Sequence, residues 1–82
     1  MHDDLDARLI RCFTVIFPEL DAKEALRATM ESTSGWDSVA TVTLVNVVEE
    51  EFGIQIDLDD IEHMASFEQF RDYLRSRELR TT

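Results

Sequence analysis

Leu5, Leu9, Phe13 and Ile16 recur at i, i+4, i+8 and i+11, which is one face of an α-helix. Ile10 and Phe17 widen that face, so the pattern predicts a helix over residues 3–17. Asp3, Asp4 and Asp6 sit at its N-terminal end, where the helix dipole favours negative charge, and Pro18 stops it. Residues 18–36 carry no such stripe. Leu20, Leu26 and Met30 are expected to pin a long connection onto the core, with a helical turn around 22–28. Connections this long in compact domains tend to be functional or to hold short elements of their own.

Residues 37–52 support two patterns. Thr41, Val42, Thr43, Val45, Val47 and Val48 are β-branched and favour a strand. The alternation that a half-buried strand needs breaks at Leu44-Val45 and again at Val47-Val48. A helical stripe survives: Val39, Val42, Val45, Val48 and Phe52. Asp37 is a good N-cap, Glu49 to Glu51 are good helix formers and Gly53 is a natural stop, so a helix is expected.

Residues 54–58 alternate and suit an extended segment. Asp57 or Asp59 then caps a short helical piece through Met64. Ser66 and Gln69 form a capping box that opens a last helix, with Phe67, Phe70 and Leu74 as its apolar face. Arg75, Arg77 and Arg80 crowd its C-terminal end, and the tail 79–82 is expected to fray. The predicted fold is all-α: a small antiparallel four-helix bundle of three longer helices and one short third helix, with a long first loop. A chain of 82 residues makes a single domain, 1–82. It buries roughly 60–65% of its extended surface and has no material for a large enclosed substrate pocket.

Charge sharpens this picture. The formal net charge is −10, and residues 28–70 hold ten acids and no lysine or arginine. The rest of the chain is balanced. Such a field repels nucleic acid and anionic lipid and attracts basic partner surfaces. The lone Cys12 forms no internal disulfide, and no Cys/His cluster suggests zinc, which suits a reducing cytoplasm. Cys12 lies among apolar residues and reads as a small core residue rather than a reactive thiol. The N-terminus is charged, unlike a signal peptide, and no apolar run approaches the roughly 20 residues that span a bilayer.

Catalytic patterns are weak. A serine hydrolase needs a base and an orienting acid, and only His2 and His63 are present. No G-x-S-x-G elbow surrounds Ser38. The run DLDDIE fails as a calcium loop: counted from Asp57, position 5 is Ile61 and position 6 is Glu62, so helix capping explains these carboxylates better. No catalytic or metal-binding residues are expected. Ser38 itself follows the N-cap Asp37. At a helix start, unpaired N–H groups and the positive dipole end favour an anion, so Ser38 is either a simple helix-start residue or the seat of an attached phosphodiester.

Gly35-Trp36-Asp37-Ser38-Val39 is followed by a helix ending in Glu49 to Phe52, then Ile54 and Ile56, and then by DLDDIEHMASFEQFRDYL. This succession resembles the acyl carrier protein family over nearly the whole chain. The family core is D-S-L, whose serine carries 4′-phosphopantetheine. The resemblance implies that Ser38 is the attachment serine, with the group donated by coenzyme A. It implies that Asp37 takes part in recognition by the phosphopantetheinyl transferase, and that Gly35 keeps the approach open. Val39 replaces the usual leucine. Ala40 and Thr43 stand where relatives often have acids, so the partner surface near Ser38 is expected to be apolar, with Val39, Ala40 and Leu44 or Val47 contributing. Glu49, Glu50 and Glu51 keep acids at the other end. Trp36 either orders the loop by packing or contacts the prosthetic arm or a partner.

The function this implies is non-catalytic: an acyl carrier protein in fatty acid, polyketide or related biosynthesis, cytoplasmic and monomeric. Its partners would be the transferase, acyl- or aminoacyl-loading ligases, and synthases or transferases with basic surfaces. A tryptophan before D-S is also seen in carriers of amino acids, so a standalone aminoacyl or peptidyl carrier is the alternative. An unmodified acidic helical adaptor is the alternative from another class. The arm and its cargo are expected to be able to slip between the helices.

Overall fold

The computed structural model describes residues 3–80, with side chains from Leu5 to Arg77. His2, Thr81 and Thr82 lie outside the described residues, as do the side chains of Asp3, Asp4 and Arg80. The chain is all-α. Five helices follow one another among the described residues: α1 (Asp3–Ile16), α2 (Ala22–Leu26), α3 (Ser38–Phe52), α4 (Leu58–Ile61) and α5 (Phe67–Arg80). The four-helix count therefore gives way to five, because the turn expected in the first connection is a helix of its own. Asp21 caps it with a full capping box: Glu24 N donates to Asp21 Oδ1 at 2.8 Å and Asp21 N donates to Glu24 Oε1 at 3.0 Å.

α1 packs against α3, α2 and α5, while α4 packs on α3. Leu5, Leu9 and Phe13 are buried, as the periodicity predicts, but Ile16 and Ile10 are only partly buried; Phe17 is buried, and Cys12 joins the core. Phe13 is the hub. Its ring meets Phe17 at 6.4 Å, Trp36 at 5.5 Å, Phe67 at 5.1 Å and Phe70 at 5.6 Å, in the tilted and edge-on arrangements that aromatic quadrupoles prefer. Burial pushes the Cys12 thiol up to about 11, with the Glu51 charge adding and Arg8 and Arg11 opposing. Native protein at pH 8 is therefore expected to resist a thiol-disulfide reagent that labels it fully in guanidinium. Rapid labelling of the folded state would contradict the core assignment.

Leu26 is largely exposed and does not pin the connection. Ala25 and Ala28 are buried instead, while Leu20 and Met30 pack partly buried against the core as expected. A second anchor crosses to α5: Met30 N donates to Ala65 O at 2.8 Å and Phe67 N to Ala28 O at 2.9 Å, an isolated antiparallel bridge centred on Thr29 and Ser66. The α5 cap differs slightly from the predicted box. Gln69 N donates to Ser66 Oγ at 3.1 Å, but the Gln69 side chain accepts from Ala65 N at 2.7 Å, one residue before the cap.

α4 ends at Ile61 rather than Met64, and Asp57 stands at its N-cap without a side-chain capping bond. The segment before it is held instead by Glu49, whose Oε2 accepts from Ile56 N at 2.8 Å. At the far end of α3, Arg8 reaches across from α1. Its Nε donates to Glu51 Oε2 at 2.8 Å, and its guanidinium lies 4.4 Å over the Phe52 ring. The Arg8 hydrogen bond, with the Arg8 and Arg11 charges, holds the Glu51 carboxyl below its ordinary range. A depressed folded value stabilises above the unfolded value and is lost as pH falls through the folded one. Glu51→Gln should therefore lower Tm slightly at pH 7, as expected for a half-exposed pair, and the gap to wild type should close in acid. A gap that widens on acidification would refute this assignment. No helix among the described residues is long and apolar enough to cross a membrane.

Candidate functional site

The C-terminal end of α1, the first connection and the first turns of α3 converge on Ser38. Three consecutive residues prepare that point. Gly35 takes φ +85°, a left-handed conformation that L side chains rarely adopt. A Cβ there would meet nothing within 4 Å, so glycine is needed for its backbone angle rather than to relieve crowding. Trp36 is buried, with its ring 5.5 Å from those of Phe13 and Phe17. Asp37 is extended, and its Oδ1 accepts from Ala40 N at 2.9 Å. Asp37 is the cap, as expected.

Ser38 is therefore free of the capping role. It is the first residue of α3, it is exposed, and among the described residues its hydroxyl makes no hydrogen bond. The Ser38 and Val39 N–H groups have no intrahelical acceptor, so the positive end of a 15-residue helix opens beside the hydroxyl. An open groove of about 800 Å³ lies alongside. Both chain neighbours of Ser38, Asp37 and Val39, help to line it, together with Val15, Leu20, Thr43 and the loop from Ser32 to Gly35. Its walls mix apolar side chains with hydroxyls.

The helix expected over 37–52 forms, and Gly53 ends it at φ 67°, with its N–H on Glu49 O at 2.9 Å. The buried face differs from the valine stripe. Val39 is 72% and Val42 50% exposed, whereas Thr41, Leu44, Val45 and Val48 are buried. The buried face is turned by roughly 60°, little more than half of one residue step, so Val45 and Val48 belong to both faces. The expected partner surface is corrected in consequence. Leu44 (0% exposed) and Trp36 (4% exposed) are core residues and offer nothing to a partner. Val39 and Val42 are the exposed apolar residues on this part of α3, and Ala40 and Val47 are half-buried. The three glutamates also divide, because successive residues on a helix point about 100° apart. Glu49 and Glu51 are engaged within the protein, and Glu50 alone of the three is exposed.

In the sequence Thr41 reads as one more β-branched residue, and the pattern does not reveal the part its hydroxyl plays. Trp36 Nε1 donates to Thr41 Oγ1 at 2.8 Å, and Thr41 Oγ1 donates to Asp37 O at 3.1 Å. The available signal was a threonine four residues after the cap and five after the only tryptophan.

A family model described as "Phosphopantetheine attachment site" matches residues 9–74. Comparison with curated proteins gives no match. The group this match implies is covalently attached 4′-phosphopantetheine. The residues present fit it: an exposed hydroxyl at an anion-favouring helix end, beside an open groove of mixed polarity.

Proposed function

The chain belongs to the phosphopantetheine attachment-site family, and from that premise we propose that it carries acyl intermediates on 4′-phosphopantetheine attached to Ser38. It presents them to enzymes of fatty acid, polyketide or related biosynthesis. Carrier domains of this family are generally non-catalytic. The observation that carries the choice of residue is the exposed, unbonded Ser38 hydroxyl at the start of α3, with the neighbouring Asp37 carboxylate already fixed as the cap.

Modification exchanges one P–O bond for another. Ser38 Oγ attacks the phosphorus that bears the pantetheine of coenzyme A, adenosine 3′,5′-bisphosphate leaves, and the hydroxyl proton passes to a base of the transferase. The helix end lowers the energy of the anionic linkage so formed. When bound, the group supplies a terminal thiol that holds cargo as a thioester. The protein's own part is to hold Ser38 outward and to offer partners a recognisable surface. Near Ser38 the first turn of α3 contains no acid, so beyond the capping Asp37 that surface is uncharged. Val39 and Val42 dominate it. Acids elsewhere, Glu50 among them, provide weak and partly electrostatic docking to basic enzymes that must bind in turn. In this proposal residues 1–82 act as one cytoplasmic, monomeric carrier domain, with α1, α3 and α5 as the long helices of an antiparallel bundle.

The test is intact mass after incubation with coenzyme A, magnesium and a broad transferase, followed by fragmentation to locate the addition. The expected result is one phosphopantetheine on Ser38. Loading trials with acyl and aminoacyl ligases then separate the acyl from the aminoacyl carrier. A wild type left unmodified by several transferases would favour the unmodified adaptor.

A further inference from the structure

We propose that Thr41 is a positioning residue for the modification of Ser38, acting through a buried relay that joins the Trp36 indole to the Asp37 carbonyl. The inference rests on the reading of Ser38 as the attachment site. An indole N–H can only donate, so at 2.8 Å Thr41 Oγ1 must be its acceptor. The threonine hydrogen is then available to the Asp37 carbonyl at 3.1 Å. That carbonyl also accepts Thr41 N at 2.9 Å. The order Nε1–H to Oγ1–H to O=C is thus fixed by donor inventory, and each bond polarises the next.

The relay joins the aromatic core to the turn that leads into Ser38. Upstream, the chain turns through the left-handed Gly35 and is tied back by Trp36 N on Thr33 O at 3.1 Å. Downstream, Ser38 begins immediately after the carbonyl that the relay holds. The Trp36 ring is locked against Phe13 and Phe17, so the relay references the Asp37–Ser38 peptide to the aromatic core. Thr41 is 4% exposed and stands in a helix face otherwise built of Leu44, Val45 and Val48. A valine would fill that space equally well. What it would not do is accept the indole N–H, which would then be buried without a partner.

Three variants are compared as substrates of the transferase. Thr41→Val keeps the volume and β-branching and removes the hydroxyl; Thr41→Ser restores it. Thr41→Val is expected to remain helical by circular dichroism. Its kcat/KM for modification should fall about fivefold, a loss of the size of one neutral hydrogen bond, and chiefly through KM. Thr41→Ser should recover most of that loss. The Trp36 Nε1 proton should exchange faster in Thr41→Val and near the wild-type rate in Thr41→Ser. Trp36→Phe should show the same rise in KM, and the double variant should lose no more than either single one, because both break the same relay. If Thr41→Val fails to fold, Trp36→Phe and its KM decide alone. Equal KM for wild type and a folded Thr41→Val, with indole exchange accelerated, would show a purely structural bond and overturn the inference while leaving Ser38 as the attachment site. A wild type that takes up no group would overturn the attachment reading itself, and the inference with it.

Discussion

Ser38→Ala is expected to take up no phosphopantetheine while keeping the fold and nearly all of the stability of the wild type. The loss should be complete rather than graded, because the acceptor oxygen itself is removed. The structure explains why stability should not follow. Ser38 is exposed, and its hydroxyl makes no hydrogen bond among the described residues. The capping bond belongs to Asp37 and Ala40 N. Alanine also suits the first turn of a helix. Thermal melts of the two proteins should agree to within the shift that about 0.5 kcal/mol produces. Intact mass read on both, before and after treatment with the transferase, checks the first part. Residual addition on Ser38→Ala would move the attachment point to another hydroxyl, and Ser32, Thr33 and Ser34 in the adjoining loop would be the first to examine.

Phe13→Ala should produce the largest loss of stability. Phe13 is fully buried and touches four aromatic rings that come from the residue after α1, the first connection and α5. Removing the ring leaves a cavity at the meeting point of three segments, none of which can collapse into it without breaking its other contacts. The cost is about 3–5 kcal/mol, against a total of about 5–15 kcal/mol for a typical domain. For a chain of this size the melting temperature should fall by at least about 12 °C. Circular dichroism melts and tryptophan emission report it independently, since Trp36 loses its edge-on partner at 5.5 Å. A shift of only a degree or two would mean that the aromatic hub is not the centre of the core. Phe13 also supports the wall behind the Trp36–Thr41 relay, so a variant that stays folded in the cold should be modified more slowly than wild type.

Much of the site was legible before the structure was in hand. Asp37 as the cap, Ser38 as the first helical residue and Gly53 as the stop all appear at their expected positions. So does the end of α1 before Pro18. Those features are local: each depends on a side chain and a backbone group no more than a few residues apart. The capping box of Asp21 and Glu24 is equally local, but no apolar stripe follows it to mark a helix in the sequence. Leu20 and Met30 pack against the core as expected, but Leu26 is exposed and Ala25 and Ala28 are buried in its stead. How closely two helices approach decides between large and small side chains, and spacing along one of them carries no measure of that distance.

The roll of α3 shows the division most clearly. Its sequence offers two stripes of correct helical spacing, one through Val39 and Val42 and one through Thr41 and Leu44, both sharing Val45 and Val48. Hydropathy favours the first, and the protein buries the second. The choice was made by groups far away in sequence or on other elements. Trp36, held by Phe13 and Phe17, donates its N–H to Thr41 and so draws that residue to the buried side. Arg8 on α1 claims Glu51 at the other end of the same helix. By itself, then, the sequence determined the helices, their caps and the residue at the head of α3, because those follow from interactions within a turn or two of chain. Which faces are buried, which glutamate stays exposed and how Trp36 is fixed beside the start of α3 were decided only in the tertiary structure, because they depend on Phe13, Phe17 and Arg8, brought from another part of the chain.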